Sequence, residues 1–173
     1  MKRALFLGRF QPFHKGHQRV VEQIAQEANE LIVAIGSAQW SHDLDNPFTA
    51  GERIMMITRS LEGLGLTTYV LPIEDIQRNA LYVSHIVSLT PLFDVVYTNN
   101  PLVKELFETA GFAVESPPLA ARHQYQGTFI RQQMLEGDCW RKLVPEQVAR
   151  IIDEIDGVAR YRRIRLEDTP VPL

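Results

Sequence analysis

The chain has 173 residues, 45% hydrophobic and 23% charged, the make-up of a folded soluble domain and not of a disordered segment. With a formal net charge of −3 the molecule as a whole is not an obvious polyanion binder, so any phosphate chemistry must use locally placed cations. The single Cys139 excludes an intrachain disulfide and the Cys-rich zinc patterns. No apolar run approaches the ~20 residues that span a bilayer. Ala4 to Leu7 is too short for a signal peptide, so a cytoplasmic protein without membrane contact is expected.

In chain order, Arg3 to Leu7 reads as a short buried strand ending at Gly8. The loop Arg9 to Lys15 leads into a helix from about Gly16 to Ala28, whose Val20, Val21, Ile24, Ala25 and Ala28 share one face. Leu31 to Ile35 is a second strand. Thr49-Ala50-Gly51-Glu52 has the spacing of a capping box opening a helix through Leu61, with Gly63 or Gly65 as its stop. Thr67 to Leu71 is a third strand and Leu81 to Leu89 a third helix. Asp94 to Tyr97 is a fourth strand, after which an Asn cap and Pro101 start a helix to about Ala110. Ala113 to Glu115 is a fifth strand, and Thr128 to Glu136 and Pro145 to Ile155 are closing helices stopped by Gly137 and Gly157.

Alternating strands and helices predict an α/β fold, a Rossmann-like doubly wound parallel five-stranded sheet with C-terminal helices. The domain is expected over residues 1–157, with a tail over 158–173. In such sheets ligands gather at the C-terminal strand ends, near a switch in strand order. That rule selects Gly8–His17, Gly36–Asp45, Pro72–Tyr82 and Thr98–Pro101, each of which follows a predicted strand.

The segment Gly8-Arg9-Phe10-Gln11-Pro12-Phe13-His14-Lys15-Gly16-His17 sits between the first strand and the first helix. Backbone N–H groups and the helix dipole favour an anion there. Gly8 is expected to permit a sharp turn, and Gly16 to let a phosphate approach the backbone. His14 and His17 can reach one phosphate, and Arg9 and Lys15 add positive charge. Metal binding by the two histidines is the alternative, but no third ligand lies at supporting spacing, so no protein metal site is expected.

This segment resembles the GxFxPxHxGH signature of the adenylyltransferase and cytidylyltransferase superfamily, with Gly8, Phe10, Pro12, His14, Gly16 and His17 matching. Gln126-Gly127-Thr128-Phe129-Ile130-Arg131 is similar to its second signature, S-x-T-x-x-R, with Thr128 and Arg131 matching and Gln126 where Ser is common. Gly36-Ser37-Ala38-Gln39, Asn46 to Arg53, and Asp75-Ile76 with Asn79-Ala80-Leu81-Tyr82 look like the archaeal type of nicotinamide-nucleotide adenylyltransferase. The resemblance runs from about Lys2 to Gly157.

The resemblance implies transfer of the adenylyl group of ATP to nicotinamide mononucleotide, giving NAD and pyrophosphate. ATP would meet Gly8, Arg9, Phe10, Gln11, Lys15, Gly16 and Thr128, with His14, His17 and Arg131 acting on the reacting phosphates. Asp75, Asn79 and Tyr82 would take the nicotinamide nucleotide, Asn79 on the carboxamide and Tyr82, where Trp is common, stacking on the ring. Mg²⁺ would accompany ATP, and a homo-oligomer, often a hexamer, is implied. Rival readings are another acceptor such as FMN or phosphopantetheine, or a non-catalytic nucleotide-binding domain. The basic stretch Ala159 to Arg165 reads as a solvated or subunit-contacting terminus, without nucleic-acid binding.

Overall fold

The computed structural model describes residues 1–117 and 125–167. Its strands are β1 (Arg3–Gly8), β2 (Glu30–Ile35), β3 (Thr67–Pro72), β4 (Val95–Tyr97) and β5 (Ala113–Glu115). Its helices are α1 (Lys15–Glu27), α2 (Ala50–Leu61), α3 (Asn79–Leu89), α4 (Pro101–Thr109), α5 (Gly127–Glu136), α6 (Glu146–Glu154) and α7 (Gly157–Glu167), with a 3₁₀ turn over Cys139–Lys142. The five strands form one parallel sheet in the order β3-β2-β1-β4-β5. The order reverses between β1 and β4, where Phe6 pairs with Tyr97. The α/β doubly wound expectation is met.

Alternation along the strands builds two cores. Ala4, Phe6, Leu31, Val33, Ile35, Val95 and Tyr97 meet apolar residues of α1, α2, α5, α6 and α7 on one face. Leu5, Ile32, Ala34 and Val96 meet Ile86 of α3 and Phe107 of α4 on the other. Because both faces are covered, Leu31 to Ile35 is buried without interruption, as a central parallel strand requires.

The local signals explain the helix starts. Thr49 and Glu52 form the expected reciprocal capping box on α2. The Asn100 side chain accepts from the Leu102 and Val103 N–H groups at 3.0 and 3.3 Å, and Pro101 opens α4. Gly63, at φ +84°, follows the α2 C-cap in the left-handed conformation that glycine tolerates.

Two readings change beyond Ile155. Gly157 does not stop the chain but opens α7, because Asp156 at φ +50° supplies the turn. Gly157 is instead needed for contact, since a Cβ there would stand 3.1 Å from Phe48 and Ile152 side-chain atoms. The stretch expected as a tail is therefore helical to Glu167 and packed through buried Tyr161 and Ile164, while 168–173 lie outside the described residues. Among the described residues no helix is long and apolar enough to cross a membrane.

Candidate active site

Three depressions meet at the C-terminal edge of the sheet. A cavity of 360 Å³ is lined by Leu7, Gly8, Arg9, Gly36, Ser37, Asp75, Asn79, Tyr82, Thr98 and Asn100, with Leu102, Val103 and Leu106 as its apolar side. A polar pocket of 190 Å³ is lined by Arg9, Phe10, Gln11, Pro12, His14, His17, Gly127, Thr128 and Arg131. A third, of 220 Å³, shares Leu7, Thr98 and Asn100 with the first and His14 and His17 with the second. They form one cleft over the β1/β4 reversal, where the topological rule places a ligand.

The two histidines are held by each other's backbone. The His17 N–H donates to His14 Nδ1 at 3.3 Å, and the His14 N–H donates to His17 Nδ1 at 3.2 Å. The same reciprocal contact caps α1. The rings stack with centroids 3.5 Å apart. Each Nδ1 accepts, so each neutral ring carries its proton on Nε2 and presents it as a donor. Burial pushes the His14 ring down to about 4, and burial followed by the neighbouring His14 holds His17 well below the ordinary histidine range. Both are neutral donors near pH 7.

The glycines of the loop act differently from the sequence expectation. Gly8 still belongs to β1, and the left-handed residue is Phe10, at φ +53°. A Cβ on Gly8 would stand 2.8 Å from the Phe10 ring, which folds back over it and packs edge-on against His17 with centroids 4.8 Å apart. The hollow at Gly16 is filled by Tyr125 Cβ, 2.7 Å from where a Gly16 Cβ would be, and by the His14 ring at 3.0 Å. A side chain there would clash with protein, while Gly16 itself still lines the third depression.

Arg131 reaches the polar pocket while tied to the surrounding chain. Its Nε donates to the Leu44 carbonyl and its two terminal nitrogens to the Gln11 carbonyl and Asp45, at 3.1, 3.1 and 3.2 Å. Gln11 lines the pocket while its side-chain amide bridges the Phe48 N–H and carbonyl at 3.0 and 2.9 Å. The loop between β2 and α2 is thereby fastened to both signature segments. Thr128 lies in the first turn of α5, a helix start without a side-chain cap hydrogen bond, whereas α1 is capped by the histidines. Lys15 is not among the residues lining the three depressions.

In the larger cavity Asp75 spends both carboxylate oxygens on Ser37. One accepts the Ser37 N–H at 3.0 Å and the other its hydroxyl at 2.7 Å. Asn79 opens α3 two residues earlier than its apolar pattern suggested, which puts its side chain at the cavity wall. Tyr82 is half-buried and packs edge-on to Phe107 at 6.2 Å; burial, then Asp75, raises its phenol, so it stays neutral.

Of the residues selected from the sequence, Gly8, Arg9, Phe10, Gln11, His14, Gly16, His17, Asp75, Asn79, Tyr82, Thr128 and Arg131 all line the cleft. Sequence reasoning passed over Ser37, Thr98, Asn100 and Tyr125, although three of these lie in segments that the strand-end rule had selected. It also passed over Arg53, whose signal was a charged residue in helical register with Met56, Ile57 and Ser60 on the buried face of α2.

Residues 5–133 match the family described as cytidylyltransferase-like. The chain belongs to that family. Nicotinamide-nucleotide adenylyltransferase of Methanolobus tindarius is 54% identical over 168 residues, covering 97% of each chain. That of Methanothrix thermoacetophila is 55% identical, covering 97% of this chain and 99% of its own. The fold also matches a bifunctional NMN adenylyltransferase/ADP ribose pyrophosphatase from Francisella tularensis complexed with AMP and Mn ion. That match has a TM-score of 0.64 at 20% identity and covers 99% of this chain and 57% of the other. The family match spans both signature segments and the larger cavity between them, so the described cleft lies within the part held in common.

Proposed function

We propose that the chain transfers the adenylyl group of ATP to nicotinamide mononucleotide, forming NAD and pyrophosphate. The observation that carries this is the meeting of two unlike depressions across Arg9. One is polar and donor-rich, lined by His14, His17, Thr128 and Arg131. The other is larger, with Asn79 and Tyr82 on its wall and an apolar side from α4. The first suits a triphosphate, and the second a neutral aromatic amide on a ribose phosphate. The activity is also the one named for relatives at more than half identity over nearly the whole chain.

In the reaction a 5′-phosphate oxygen of the acceptor forms a bond to the α-phosphorus of ATP, and the bond from that phosphorus to the bridging oxygen breaks. Pyrophosphate leaves with the electron pair. The acceptor monoester, with a second pKa of about 6, is already mostly dianionic at neutral pH, so no general base is needed. The protein's work is placement and charge stabilisation. The Nε2–H groups of His14 and His17 donate to phosphate oxygens without adding charge of their own. Arg9 stands between the two depressions and can offset the repulsion of two anions; Arg131 and Thr128 line the polar pocket and would add donors for the triphosphate.

The donors lining the polar pocket are N–H and O–H groups and cations, and among the described residues no cluster of three His, Cys, Asp or Glu could hold a metal ion. That donor set fits a divalent cation carried by ATP, held by phosphate oxygens and water. When bound, Mg²⁺ would neutralise part of the triphosphate charge and of the departing pyrophosphate. A homo-oligomer belongs to the same reading, supported by half-exposed Leu81, Leu89 and Leu102 on α3 and α4.

A panel of acceptors tests the proposal. With ATP and Mg²⁺, pyrophosphate release should be fastest with nicotinamide mononucleotide and slight with FMN or phosphopantetheine. A faster reaction with either of the latter would move the function to another member of the family. Nucleotide binding without pyrophosphate release from any acceptor would make the chain a binding domain.

A further inference from the structure

The buried face of α2 carries Arg53, which is 0% exposed. Its guanidinium donates to four backbone carbonyls: Thr49 at 3.2 Å, Arg9 at 2.9 Å, Gly36 at 2.9 Å and Ser37 at 3.1 Å. None of these partners is a carboxylate. Asp75 and Glu52 attract the group from farther away and Arg9 repels it. Burial lowers the guanidinium to about 10, so it remains charged at neutral pH.

Three of the carbonyls belong to the ends of adjacent strands. Arg9 follows β1, and Gly36 and Ser37 follow β2. Gly36 and Ser37 form the wall of the larger cavity, and Arg9 lines both that cavity and the polar pocket. A planar peptide turns its N–H opposite to its carbonyl. Drawing the Gly36 carbonyl inward thus turns the Ser37 N–H outward, where it meets Asp75 at 3.0 Å. Drawing the Arg9 carbonyl inward likewise turns the Phe10 N–H away from the guanidinium, and Phe10 is a wall of the polar pocket.

We propose that Arg53 is a positioning residue for adenylyl transfer, fixing the two substrate subsites relative to each other by gathering the ends of β1 and β2 onto one planar fork. This rests on the adenylyl-transfer reading of the cleft. Neither substrate touches Arg53; its effect passes through Arg9, Phe10 and the Ser37–Asp75 pair. Lysine keeps the charge but concentrates its donors at one point, so it cannot hold four carbonyls in the same arrangement. In-line attack is sensitive to placement, and a displacement of about 1 Å costs on the order of 100-fold.

The test compares Arg53→Lys and Arg53→Gln with the parent, after circular dichroism and thermal melts establish folding. Steady-state rates are measured well below each Tm, varying ATP and nicotinamide mononucleotide separately. The expected result is a folded Arg53→Lys with kcat lowered by about ten- to a hundredfold and both KM values within about threefold of the parent. Arg53→Gln should fall at least as far. A lower Tm with kcat within about twofold of the parent would make Arg53 a support of the fold alone and overturn the proposal. Failure of both variants to fold would do the same. A parent that forms no NAD would instead overturn the reaction itself, an outcome visible before any variant is compared.

Discussion

The stacked pair His14 and His17 should make the protein unusually sensitive to mild acid, and the size of the effect follows from the geometry. Each Nδ1 accepts a backbone N–H, and protonating it breaks a cap bond of α1 while placing positive charge on rings 3.5 Å apart. The folded-state value of His14 is lowered from 6.5 to about 4. Between those values the unfolded chain binds more protons than the folded one, so stability falls as pH falls. The contribution is fully present above about pH 6.5 and is lost on the way to about pH 4. At about 1.4 kcal/mol per unit, His14 accounts for about 2 kcal/mol between pH 6.5 and 5. Solvent screening is slight, since His14 is 5% exposed. His17 is shifted in the same direction and adds to the loss. Urea unfolding of the parent and of a His14→Asn/His17→Asn double variant, at half-unit steps from pH 7 to 5, measures the difference. The parent should lose at least about 2 kcal/mol more than the variant across that window. Parallel stability curves would refute the neutral, mutually capped pair.

Replacing His17 with Ala removes one donor to the reacting phosphates, so turnover should fall by roughly ten- to a thousandfold in steady-state assays of the folded variant. Asn79→Ala should raise KM for the acceptor and leave that for ATP near the parent value; an effect confined to ATP would contradict its place in the larger cavity. Arg160 donates to both Glu52 oxygens at 2.8 and 2.7 Å, where α7 meets the cap of α2. Losing these charged bonds in Arg160→Ala should cost about 2–3 kcal/mol. That is a drop of very roughly 4–12 °C in Tm for a domain of this size, read by calorimetry.

Strand and helix positions were legible where one periodicity ruled a segment. Leu31 to Ile35 is apolar throughout because helices cover both of its faces, and Asn100-Pro101 marks a helix start by chemistry local to those residues. The end of the chain was less legible. Gly157 carries the mark of a helix stop, but the left-handed turn belongs to Asp156, and only the packed Phe48 and Ile152 side chains reveal why glycine follows. The basic residues beyond it suggested a solvated tail because the partners of Arg160 and Tyr161, Glu52 and the Leu44 carbonyl, lie more than a hundred residues away.

Within the cleft, the histidine segment could be read directly, since two glycines, two histidines, Pro12 and two cations fall together at one strand-to-helix junction. The roles of its glycines could not. Gly8 and Gly16 make room for Phe10, His14 and Tyr125, and those contacts exist only after the loop has closed. Arg53 and Arg131 show the same limit. An arginine's sequence position says that a charge is present, while the partners here are carbonyls from several separate segments and, for Arg131, the Asp45 carboxylate as well.

In the proposed reaction the α-phosphorus of ATP moves to nicotinamide mononucleotide. Incubating the protein with Mg²⁺, nicotinamide mononucleotide and ATP labelled on the α-phosphorus, and separating the products, follows that atom directly. The label should appear in NAD, with one unlabelled pyrophosphate released for each NAD formed. Label remaining in ATP, or passing to AMP without entering a dinucleotide, would rule out adenylyl transfer to this acceptor.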